Sequence, residues 1–130
     1  MLIDRLNVVA TGAKDSVDLM IRTIDAKQPL SDDKRFDLRL ISMELLNNIF
    51  DYSSADVVEL SCSLTEDAVS ITIDDNGPGF NYDEVMQRTV TDNLYGARGR
   101  GIHIVRSIAD EFRYNRRGNS VEVVLKLNNS

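Results

Sequence analysis

Apolar residues recur along this chain in two rhythms. Val58, Leu60, Cys62 and Leu64 fall on every second position, as do Val69, Ile71 and Ile73, and later Val121, Val123, Leu125 and Leu127. Alternation of this kind puts the apolar side chains on one face of an extended strand. Elsewhere the steps are three and four. Val17, Met20, Ile21 and Ile24 form one such set, and Leu38, Ile41, Leu45 and Ile49 a second. Ile102, Ile104, Val105 and Ile108 form a third, ending at Asp110. Each marks one buried face of a helix.

Turn and cap residues set the boundaries. Residues 2–10 read as a first strand, with Thr11 a candidate N-cap for a helix running to about residue 26. Pro29 breaks the chain. Ser31 then suits an N-cap, and Asp32 and Asp33 suit the positive end of a second helix ending near Asp51. Thr65-Glu66-Asp67 turns one alternating strand into the next as a hairpin. Residues 81–98 are polar and weakly periodic, with a short helix expected at 82–88. A loop of that size within a compact domain usually has a function. A third helix follows Gly99-Arg100-Gly101, then a short strand at 111–115, a turn at 116–119 and a last strand. No repeat or linker interrupts this order, so one domain is expected over residues 1–130. Short connections imply a mixed or antiparallel sheet. The expected class is α+β, a two-layer α/β sandwich with a mixed sheet and helices on one face.

Composition narrows the partners. The 130 residues carry a formal charge of -6 with 42% hydrophobic content. That is enough apolar surface for a core, and the acidic balance disfavours direct binding to nucleic acid over a wide surface. It leaves room for a single nucleotide in a local pocket. The lone Cys62 builds no disulfide or cysteine metal site and reads as a small buried residue. The start of the chain shows no signal-peptide pattern and no apolar run reaches the length of a membrane span, so no membrane partner and a cytoplasmic location are expected.

Three stretches carry candidate chemistry. The second helix holds Glu44 and Asn48 four apart on one face, with Asp51 three further on. Such oxygens can serve Mg²⁺, and a carboxylate beside them can orient or deprotonate a hydroxyl. A solvated polar face accounts for the same residues. Next, the strand through Ile71 and Ile73 stops at Asp75-Asn76-Gly77-Pro78-Gly79. There an acid meets backbone with little side chain, which lets a ligand approach; an ordinary turn has the same composition. The third stretch is Gly96-Ala97-Arg98-Gly99-Arg100-Gly101 at a helix start. Backbone N–H groups and arginines there suit an anion. It is neither a Rossmann fingerprint nor a P-loop. His103, the only histidine, reads as a core or helix-surface residue, and no histidine triad or metal cluster is available.

In this order the three stretches resemble the GHKL family of ATP-binding proteins. Glu44 to Asn48 looks like its N box, Asp75-Asn76-Gly77-Pro78-Gly79 like its G1 box, and Gly99-Arg100-Gly101-Ile102 like its G2 box. The resemblance covers roughly residues 38–110 and implies the Bergerat sandwich, with the loop between the last two boxes as an ATP lid. Within the family the chain is most similar to the anti-sigma-factor serine/threonine protein kinases, through its size, its leading strand and helix, and the stretch from Gly99 to Phe112.

The resemblance implies a role for each matching residue. Asn48 would ligate Mg²⁺ bridging the phosphates of ATP, and Glu44 would act as general base toward a protein serine. Asp75 would hold the adenine amino group, with Gly77 and Gly79 allowing close packing of adenine and ribose. Gly99 and Gly101 would contact phosphate, and Arg98 or Arg100 would reach the γ-phosphate. Ser120 is the nearest match to a hydroxyl residue on the last strand that reaches adenine through water. Two positions depart from the pattern: relatives carry a basic residue and a histidine where this chain has Asp51 and Tyr52. The implied partners are a STAS-type anti-sigma-factor antagonist as substrate, a sigma factor or other regulator, and a second copy of the chain in a homodimer. Two other readings stay open. One is a nucleotide-sensing module without phosphotransfer; the other is the kinase domain of a larger regulator.

Overall fold

The computed structural model describes residues 1–52, 56–75, 99–115 and 120–127, with residues 52 and 99–102 described by backbone alone. Strand β1 (Leu2–Val9) passes through a 3-10 turn, Ala10–Gly12, into α1 (Ala13–Lys27). Helix α2 (Asp32–Tyr52) is followed by β2 (Val57–Leu64) and β3 (Ala68–Asp74), and then by α3 (Gly99–Ile108), β4 (Glu111–Tyr114) and β5 (Ser120–Lys126). These are the elements that periodicity predicts, in the predicted order. The polar loop at 81–98, its short helix and the turn at 116–119 lie outside the described residues.

The caps differ from one another. Ser31 Oγ accepts a hydrogen bond from the Lys34 N–H at 3.1 Å, so α2 begins with the expected side-chain cap. Thr11 does not play that part for α1. It lies inside the 3-10 turn, where the Ala13 N–H donates to the Ala10 carbonyl, and Gly12 precedes the helix without a side-chain cap. A backbone bond thus does the work the threonine hydroxyl was expected to do.

The strands order β1-β2-β3-β5-β4, and all four pairings are antiparallel. Among the described residues the sheet is therefore antiparallel rather than mixed, for two reasons. Two helices lie between β1 and β2, and the chain reverses at each of the three connections, so β2 returns opposite to β1. β3 and β4 do run in the same direction, since both oppose β5, but β5 lies between them and no parallel pair forms.

One face of the sheet is apolar. Leu60, Ile73 and Val121 form one buried row across three strands, and Cys62, Ile71 and Val123 form the next. The helices bury this face, as expected, and their residues join the same core. The opposite face carries Ser61, Ser63, Ser70, Thr72 and Glu122, all half-buried. On α2, Leu38, Ile41, Leu45, Leu46 and Ile49 are fully buried. Each side chain of this size removed from water contributes about 1.5–3 kcal/mol. Cys62 is buried, and burial pushes its thiol up to about 11, with the Asp4 charge on the neighbouring strand adding to the rise. It stays a protonated, unreactive core residue.

Candidate functional site

Sheet register decides which parts of the chain meet. Asp74 at the end of β3 pairs with both Glu59 near the start of β2 and Ser120 at the start of β5. α2 leads into β2, so its last turns, with Asn48 and Asp51, arrive at this same end. α3 begins here too. Its other end feeds β4, whose first residue Glu111 pairs with Val124, away from this end. The N box candidate, the end of β3 and the N-terminus of α3 are thus brought together by topology.

Helix geometry shows which flank of α2 is involved. Arg39 pairs with Asp18 of α1 at 2.7 Å, and Arg35 with Asp25 of α1 at 3.4 Å. That flank faces α1. Asn48 follows Arg39 by nine residues. At ~100° per residue this is two and a half turns, so Asn48 lies on the opposite flank. α2 packs against both α1 and α3, and the Asn48 flank is the one toward α3. Glu44, four residues earlier, shares that flank.

Asn48 of this flank is not part of a solvated face. Asn48 is only 1% exposed. Its Nδ2 donates to the Glu44 carbonyl at 2.9 Å. Its Oδ1 is buried without a hydrogen-bond partner among the described residues. An amide oxygen left so costs about 1–3 kcal/mol, and a bound ligand removes that cost. Glu44 beside it is half-buried and Asp51 is exposed.

Asp75 continues the alternation of Ile71 and Ile73, which turns it to the apolar face, and it is 4% exposed. A carboxylate at the end of an apolar row is an acceptor held in a fixed place. Parity alone predicts this inward direction. It equally predicts the direction of Ser120, which precedes the inward Val121. Ser120 sits opposite Asp74, and it lines a shallow depression of about 240 Å³ with Thr72, Arg113 and Glu122. Its hydroxyl and the Asp75 carboxylate therefore leave opposite faces of the sheet, and the structure does not bring them together.

Gly99, Arg100 and Gly101 form the first turn of α3, so their backbone lies at the positive end of that helix. Gly77, Gly79 and Arg98 lie outside the described residues. His103 is half-buried along α3. Among the described residues, no three His, Cys, Asp or Glu side chains cluster as a metal site. Also among them, no helix is long and apolar enough to cross a membrane.

An acceptor at a strand end, a buried amide on α2 and a glycine-rich helix start therefore lie at the same end of the sheet. The family model of the histidine kinase-like ATPase domain matches residues 13–125, and the chain belongs to that ATP-binding family. No curated protein matches the chain.

Proposed function

We propose that this domain is a serine/threonine protein kinase of the anti-sigma-factor type. It works in the bacterial cytoplasm as a homodimer, phosphorylates a serine of a STAS-type antagonist, and in alternation binds a sigma factor or another regulator. The observation that supports this most is Asn48, a buried amide whose oxygen has no hydrogen-bond partner among the described residues, one turn from Glu44.

The donor set fits Mg²⁺. The amide oxygen is a hard ligand, and an ion held by so few protein groups would complete its shell with phosphate oxygens and water. When bound, the ion would neutralise charge on the phosphates. The remaining work falls to the chain itself. Asp75 accepts a hydrogen bond from the adenine amino group. The first turn of α3 holds phosphate oxygens through its N–H groups. Glu44, on the same flank as Asn48, takes the proton of the attacking serine hydroxyl.

The test is phosphotransfer from radiolabelled Mg-ATP to the cognate antagonist. Glu44→Ala should lower transfer by roughly 10²- to 10⁴-fold while Mg-ATP affinity is kept. Unchanged transfer would remove Glu44 from the role of base. A sensing module without phosphotransfer gains support from Asp51, an added negative charge one turn beyond Asn48. It predicts ATP binding with no labelled product from any antagonist.

A further inference from the structure

The α3-facing flank of α2 holds one more oxygen donor than the reading above uses. Asp51 follows Asn48 by three residues and is exposed where Asn48 is buried. Residues at this spacing are neighbours on a helix, with about 5–6 Å between their Cβ atoms.

The orientation of the Asn48 amide follows from chemistry. The arm facing the Glu44 carbonyl must be the NH₂, because a carbonyl can only accept. The oxygen arm is then turned away from that carbonyl, and it is the buried atom without a hydrogen-bond partner among the described residues. A neutral amide alone holds a hydrated divalent cation poorly. A carboxylate within reach supplies the charge that makes retention favourable, and an exposed one can reach a cation directly or across one water.

We propose that Asp51 and Asn48 together hold a divalent cation on the protein before nucleotide arrives. This rests on the nucleotide-site reading but does not require phosphotransfer. It also gives Asp51 a sign-dependent effect on the nucleotide. Metal-free ATP meets a like charge beside its phosphates, whereas the metal complex meets a ligand.

The experiment is a Mn²⁺ titration of the full chain without nucleotide, followed by electron paramagnetic resonance. The wild type should show one saturable site. Asp51→Asn and Asn48→Ala should each weaken it about tenfold or more. Asn48→Asp, which adds a carboxylate at the same place, should tighten it, so a loss in Asn48→Ala cannot be put down to misfolding. Asp67→Asn, in the turn at the other end of the sheet, should leave it unchanged. A wild type without saturable Mn²⁺ binding, or an Asp51→Asn variant that binds as the wild type does, overturns the proposal. Failure of the nucleotide reading would look different: Mn²⁺ would bind as described while Mg-ATP did not bind at all.

Discussion

The two ends of the sheet differ in how they treat buried polar groups. At the end away from the candidate site, termini and turns are tied to one another. The Leu64 N–H donates to the Met1 carbonyl at 2.9 Å and the N-terminal amine donates back to the Leu64 carbonyl at 3.2 Å. In the β2–β3 turn, Thr65 Oγ1 accepts from the Ala68 N–H at 3.1 Å. Gln28 Nε2 donates to the Glu66 carbonyl at 3.0 Å, and the Lys126 N–H to Asp110 Oδ2 at 2.7 Å. At the candidate-site end, two polar side chains are buried in the core layer. Asn48 and Asp75 are both nearly inaccessible, and the Asn48 oxygen is left unmet among the described residues. The first end ties its polar groups to one another, whereas at the other a buried amide oxygen has no hydrogen-bond partner among the described residues. Stability and function should therefore respond to different residues.

The sharpest way to break that contrast is a core substitution midway between the ends. Ile71→Ala should cost about 2–5 kcal/mol in urea denaturation. Mg-ATP affinity of the protein that remains folded should hold; a parallel loss of affinity would show that the two properties are not separable. Next in size is Asp75→Asn. It should weaken Mg-ATP binding roughly 10- to 100-fold by calorimetry, the worth of a charged hydrogen bond, with a melting temperature no lower than that of the wild type. Equal affinity in both proteins would remove Asp75 from the adenine site. Ser31→Ala, at the capped start of α2, should cost about 1 kcal/mol and leave nucleotide binding unaltered. The smallest effect belongs to the open face. Arg113 pairs there with Glu122, both partly in solvent, and Arg113→Ala should change stability by less than about 0.5 kcal/mol.

Much of this architecture is legible in the sequence because each pattern has a single physical reading. The stripe Leu38, Ile41, Leu45 and Ile49 fits only a helix, and the alternation at Val58, Leu60 and Cys62 only a strand. Ser31 capped as its chemistry demands. Thr11 did not, because a backbone turn can close a helix start as well as a hydroxyl can, and composition does not separate the two. The antiparallel sheet depends on β5 inserting between β3 and β4, a long-range choice that local periodicity does not encode. The burial of Asn48 was hidden for a related reason. The helix period places Asn48 beside Glu44, but α3, which packs on that flank, begins some fifty residues later in the chain. The outward direction of Ser120 could have been read from its place beside Val121, since strand parity alone requires it.

Glu44, Asn48 and Asp51 belong to one unbroken 21-residue helix. Their mutual distances are therefore set by helix pitch and not by loops. Chemistry on this flank can be exchanged one side chain at a time, like beads on a stiff thread, without re-engineering what surrounds it. A carboxylate or a base at residue 51 would redirect the same frame toward metal or toward phosphate, so the fold itself is neutral about which guest it favours. Diversification within such a scaffold needs few substitutions, and this helix is where they would register first.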